Sequence, residues 1–126
     1  MTGVGRRKGR PLILIVGVCG SGKTTLADGL QRLGYNARSL AQEHSVSPRL
    51  WQHRAPDFLI FLDCQLETVR LRKDKAVSWE RYREQQQVLG NARENADLVV
   101  VTDSFTPDEL IAYVERALKE RGIGPA

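Results

Sequence analysis

Short apolar runs, each bounded by glycine, proline or aspartate, alternate along this chain with segments whose apolar positions recur every three or four residues. Leu12–Val18 (LILIVGV) is continuous and rich in β-branched residues, with Pro11 before it and glycines after. That pattern predicts a strand buried on both faces, as in a parallel sheet. From Lys23 the period becomes helical: Leu26, Leu30 and Leu33 share a face, and Gly34 supplies a stop. Tyr35–Leu40 is a weaker extended segment, and residues 41–56, apolar only at Leu50 and Trp51, read as loop with a short helical turn. Asp57–Asp63 (DFLIFLD) is the second strong strand. Leu66, Val69 and Leu71 begin a helix that ends basic, and Ser78 caps a longer one carrying Trp79, Tyr82, Gln86, Leu89, Ala92 and Ala96 on one stripe. Asp97–Thr102 (DLVVVT) is the third strong strand. Thr106-Pro107-Asp108-Glu109 combines an N-cap, a proline at N1 and a glutamate at N3, a capping box. The helix it opens buries Leu110, Ile111, Val114, Ala117 and Leu118 and ends near Gly122. Strands alternate with helices without internal repeat, so the expected fold class is α/β, with a parallel sheet of about four strands flanked by helices.

Composition narrows this further. With 126 residues, 14.1 kDa, 41% hydrophobic and 27% charged, the chain has material for one core and not two. The longest apolar run, Leu12–Val16, is far short of the roughly 20 residues of a membrane-spanning helix, and no secretory signal pattern stands out. Two cysteines, Cys19 and Cys64, are too few for a disulfide framework, which favours a reducing cytoplasm. The net charge of +4 sits in the leader MTGVGRRKGR, which holds Arg6, Arg7, Lys8 and Arg10 and no acid; the rest of the chain is balanced. Residues 1–10 therefore read as a basic, disordered leader, with a polyanion-binding arm as the alternative. Nucleic acid is not expected as the main partner, because the charge is not spread over a folded face.

The chemistry enters at Gly17-Val18-Cys19-Gly20-Ser21-Gly22-Lys23-Thr24, which fits GxxxxGK[ST] at every fixed position between a predicted strand and a predicted helix. Glycines let successive backbone N–H groups curl into an anion-binding nest, and the following helix adds its positive end. Lys23 should then reach the β- and γ-phosphates of ATP or another nucleoside triphosphate, the hydroxyl of Thr24 should coordinate Mg²⁺, and Thr25 should complete the cradle. The domain expected over residues 11–126 is a single three-layer P-loop nucleotide-binding domain.

In a parallel sheet ligands bind beyond the carboxyl ends of the strands, which should gather Ala41–Ser45, Asp63–Gln65 and Thr102–Thr106 around that loop. Two acids are offered to metal and acceptor, Glu43 and Asp63. Asp63, at the end of an apolar strand, has the alternative of capping the helix at Leu66, and Glu43 that of a solvated loop residue. His44 is either a general base or a surface histidine, and His53 carries less weight. Cys19 is read as a small filler rather than a redox centre. Among Arg70, Arg72, Lys73, Lys75, Arg81 and Arg83, interleaved with acids, at least one should reach phosphate. Thr102-Asp103-Ser104-Phe105 should wall the base, with Phe105 stacking.

GVCGSGKTTL resembles the phosphate loop of small P-loop kinases: the nucleoside monophosphate kinases and relatives such as gluconate and shikimate kinases. APDFLIFLDCQLETVRLRK is similar to the segment of thymidylate and adenylate kinases leading into their arginine-bearing lid. ADLVVVTDSFTPDELIAYV resembles their closing strand-loop-helix, where adenine rests. The resemblance covers most of residues 11–120. It implies phosphate and metal roles for Lys23 and Thr24, a lid role for Arg72, and a base-bordering role for Thr102–Phe105. The interval AQEHSVSPRLWQHRAP is shorter than the acceptor-binding region of those kinases, and Gln42-Glu43-His44 stands near the place of their Asp-Gly or Asp-Arg motif. The implied function is ATP-dependent phosphotransfer to a small-molecule, nucleoside or nucleotide acceptor. Hydrolysis with water as acceptor, and a non-catalytic nucleotide sensor, are the alternatives. A guanine-specific Asn-Lys-x-Asp motif is absent, and length and missing accessory motifs argue against an ABC or AAA motor. A homodimer is a possible way to complete an abbreviated acceptor side.

Overall fold

A computed structural model describes residues 10–125; the leader expected at residues 1–10 lies, apart from Arg10, outside the described residues. Four parallel strands form one sheet: β1 (Leu12–Gly17), β2 (Asn36–Ser39), β3 (Phe58–Asp63) and β4 (Leu98–Val101), in the order β2-β1-β3-β4. Four α-helices accompany them: α1 (Lys23–Arg32), α2 (Leu66–Arg72), α3 (Trp79–Asn95) and α4 (Pro107–Glu120). Short 3₁₀ turns at Gln42–His44 and Leu50–Arg54 interrupt the long connection between β2 and β3.

The sheet is covered on both faces because consecutive strand residues point to opposite sides. Ile13 and Ile15 of β1, with Phe58, Ile60 and Leu62 of β3, pack against Leu26 and Leu30 of α1 and Leu110, Val114 and Leu118 of α4. Leu14 and Val16, with Leu59 and Phe61, pack instead on Val69 of α2 and Leu89 and Ala92 of α3. This is the three-layer α/β arrangement expected from the sequence. β3 and β4 each begin just after an aspartate for a visible reason. The Asp57 carboxylate accepts the Leu12 N–H (2.7 Å) and that of Asp97 accepts the Leu59 N–H (2.8 Å), so each acid caps the neighbouring strand.

Two details differ from the sequence reading. Trp79, placed on the buried stripe of α3, is 55% exposed; the buried line is Gln85, Leu89 and Ala92. The 81% exposed Leu71 likewise contributes nothing to the core, which takes Val69 and, in part, Leu66 from α2. The capping box is present as expected: the Thr106 side chain accepts from the Glu109 N–H, and the Glu109 side chain accepts from that of Thr106.

The strand order fixes where a ligand can sit. β2 and β3 lie on opposite sides of β1, so the connections leaving β1 and β3 diverge and leave a crevice at their carboxyl ends. Residues 18–22, between β1 and α1, lie in it.

Candidate nucleotide-binding site

Two backbone requirements shape the turn from β1 to α1. A Cβ on Gly17 would lie 2.1 Å from the Leu62 carbonyl oxygen, so only glycine lets β1 run this close to the end of β3. Gly22, with φ +105°, is the left-handed N-cap of α1, a conformation that costs other residues. The Ser21 N–H closes the loop on the Val18 carbonyl (3.1 Å). Ser21 is fully buried, and its Oγ has no hydrogen-bond partner among the described residues.

Lys23, in the first turn of α1, reaches back over this loop. Its ammonium donates to the carbonyls of Gly17 (3.0 Å) and Val18 (3.1 Å) and to Glu43 Oε2 (2.7 Å). The Lys23 and Glu43 side chains are 11% and 3% exposed, so this is a buried ion pair. The backbone around residue 43 is held by Gln42, whose side chain accepts from Trp51 N–H and donates to the Ser47 carbonyl. His44 Nε2 lies 3.6 Å from the same Glu43 oxygen. Lys23, Thr24, Thr25, Gly20, Gly22, Glu43, His44 and Arg72 together line a cavity of about 420 Å³.

Arg72 ties that cavity to a second. Its guanidinium donates to the carbonyls of Gly20 (3.3 Å), Thr102 (2.6 Å) and Asp103 (3.3 Å) and to Thr102 Oγ1 (3.2 Å). Thr102, buried, donates in turn to the Ser21 carbonyl (2.8 Å), which joins the end of β4 to the phosphate loop. Beyond Arg72 lies a cavity of about 310 Å³ lined by Gly22, Thr25, Thr102, Phe105, Pro107 and Leu110 among others. Phe105, expected to border a base, is one of the residues lining it.

The other two candidates have different occupations. Asp63 is not brought to Lys23. Its carboxylate is bound by Arg93 (2.5 Å) and Gln86 (3.1 Å) of α3, and it caps no helix; α2 begins after Gln65 without a side-chain cap. The reason is pleat: Asp63 follows Phe61 onto the α3 side of the sheet. Asp103 points at α2 instead of the cavity beside Phe105, accepting from Gln65 N–H (2.9 Å) and Thr68 Oγ1 (2.5 Å). Burial works to raise its pKa, but those two donors and the nearby Arg72 prevail and hold it below the ordinary carboxylate value. Cys64, buried next to Asp103, is pushed up to about 12, chiefly by desolvation, and so is no thiolate near neutrality.

A bound Mg²⁺ suits the residues present on one condition. Among the described residues no group of three or more His, Cys, Asp or Glu side chains could hold a metal by itself. The Thr24 hydroxyl and Glu43 share the phosphate-loop cavity, and Glu43 Oε1, buried, has no hydrogen-bond partner among the described residues. One hydroxyl and one acid are what Mg²⁺ takes from a protein when phosphates and water supply its remaining ligands. Missing from the sequence reading were Gln42, Thr102 as a loop anchor, and Gln85 on α3. The last had a signal, since Gln85 stands at i, i+4 and i+7 with Leu89 and Ala92.

A parallel three-layer sheet with GxxxxGK[ST] wrapped over its central crevice defines a P-loop nucleotide-binding domain. Comparison with protein families agrees: the AAA_18 family, described as an AAA domain, matches residues 13–117. The chain belongs to this family, which is P-loop NTPase-like and includes kinases. The match concerns the nucleotide-binding domain and is silent on motor activity. No curated protein sequence matches the chain. Among the described residues no helix is long and apolar enough to cross a membrane.

Proposed function

We propose that this protein is an ATP-dependent phosphotransferase acting on a small acceptor. The observation that carries the reading is the buried Lys23–Glu43 pair, standing between two cavities. One is the phosphate-loop cavity; the other, about 550 Å³, shares Glu43 and His44 with it and is otherwise lined by Ser45, Val46 and residues of α3, including Arg81 and Glu84. A triphosphate in the first and an acceptor in the second would meet at Glu43. Loop amides and Lys23 bind the β- and γ-phosphates, and Lys23 exchanges its carbonyl contacts for phosphate oxygens. Mg²⁺, when bound, neutralises phosphate charge, with Thr24 and Glu43 as its protein partners. Glu43 orients the acceptor, and His44 beside it takes the proton when that acceptor is a hydroxyl. Arg72 faces both the phosphate-loop cavity and the base cavity, where Phe105 offers a ring. Asp63 supports this from behind, anchoring α3 through Arg93.

Hydrolysis is the second reading, and one observation favours it. Residues 73–78 alone join α2 to α3, so no lid-sized segment is available there to exclude water. Both enzymatic readings suit a reducing compartment such as the cytoplasm, since Cys19 and Cys64 are free and buried. Incubation with γ-labelled ATP and Mg²⁺, alone and with nucleosides, monophosphates and sugars, tests the assignment. Label on an acceptor supports the transferase. Free phosphate regardless of acceptor supports hydrolysis, and binding with neither supports a sensor.

A further inference from the structure

We propose that Gln85 is a positioning residue for the phosphate loop: from α3 it fixes the Val18–Cys19 peptide and thereby the seat of Lys23. The proposal rests on the reading of residues 17–24 as a polyphosphate cradle. Gln85 is 4% exposed, and a buried amide is costly unless its polar atoms are bonded. Both of its polar atoms meet one residue. Oε1 accepts the Cys19 N–H (3.1 Å), and Nε2 approaches Cys19 Sγ (3.5 Å).

The other edge of the same peptide is equally engaged. The Val18 carbonyl accepts from Ser21 N–H (3.1 Å), which closes the loop, and from Lys23 Nζ (3.1 Å). In a planar trans peptide the N–H and C=O point in opposite directions, so holding one sets the other. Gln85 therefore turns the Cys19 amide away from the crevice and the Val18 carbonyl toward the lysine. The following amides, from Gly20 onward, start from that orientation. Without Gln85 a buried N–H is left unbonded, and the peptide gains by rotating to find a partner. That rotation carries the Val18 carbonyl off both Ser21 and Lys23. Gln85 also borders the second cavity, so the helix that fixes the loop is the one that walls the proposed acceptor space.

The test compares wild type with Gln85→Leu and Gln85→Met. The readouts are amide hydrogen exchange by NMR and titration with a non-hydrolysable ATP analogue plus Mg²⁺. Losing one buried hydrogen bond should speed exchange at Cys19 and Ser21 and weaken analogue affinity by about tenfold each, with Leu14 and Ile60 in the central strands unchanged. Should the leucine variant fail to fold, the unbranched methionine variant decides. Unchanged exchange at Cys19 and Ser21, or acceleration spread equally over the strands, overturns the proposal, since Gln85 would then merely fill the core. If wild type does not bind the analogue, the cradle reading falls, while the exchange comparison still decides whether Gln85 holds the peptide.

Discussion

Lys23 and Glu43 lie 20 positions apart and meet at 2.7 Å, nearly out of reach of water. Breaking such a pair from one side leaves an uncompensated buried charge, which typically costs about 3–5 kcal/mol. Lys23→Met should therefore lower stability in urea by about 3 kcal/mol. Adding Glu43→Gln should return most of that loss without returning nucleotide affinity. A double variant no more stable than the single one would show that the pair is not coupled. Asp103 makes a second residue-scale case. Its carboxyl is held below its ordinary value in the folded state, so it stabilises the fold above that ordinary value, and the contribution is lost as pH falls through the lowered one. Asp103→Asn should accordingly cost stability at pH 7 and cost progressively less below about pH 4. Denaturation midpoints of both proteins across that range check the sign; a penalty that grows on acidification would contradict it.

The elements separate what tight backbone approach demands from what it tolerates. Gly17→Ala places a methyl 2.1 Å from the Leu62 carbonyl oxygen, an atom that cannot swing aside, so β1 and β3 must move apart. Overpacking typically costs about 1–3 kcal/mol, and this clash with backbone should reach the top of that range. Gly90→Ala, inside α3 with nothing within 4 Å of the added methyl, should instead stabilise by about 0.5–1 kcal/mol. Thermal melts of both variants give the comparison, and a destabilised Gly90→Ala would count against the described α3. Which elements were legible follows from how they are held. β1, β3 and the last helix could be read because burial on both faces, or an amphipathic period with a capping box, writes itself into consecutive residues. The ordering of residues 41–56 could not, because it depends on Gln42 bonding Ser47 and Trp51 and on Trp51 reaching Asn91, contacts without local periodicity. The acids show the same limit. Glu43 follows β2 and Asp63 ends β3, and only the packed α3, with Arg93 and Gln86, tells which is drawn away from the lysine. Asp103 lies in the loop after β4, but the direction of its carboxylate depends on where α2 begins.

At the scale of the whole molecule, one crevice receives three chain segments that the sequence alone placed together: the phosphate loop, the turn at Glu43 and the loop after β4. Lys23 ties the turn at Glu43 to the phosphate loop, and Arg72 and Thr102 tie the loop after β4 to it, so the two cavities share Gly22, Thr25 and Arg72 and should respond together to a ligand. Their common centre is the loop at residues 17–24, and the most direct trial of it is calorimetric titration with Mg²⁺ and a non-hydrolysable ATP analogue. Wild type should bind one equivalent with saturating heat, and the Lys23→Met/Glu43→Gln protein, folded but without its ammonium, should bind at least about 100-fold more weakly, the weight of two lost charge-assisted bonds. Equal affinity in the two proteins, or no heat of binding from wild type, would contradict the account.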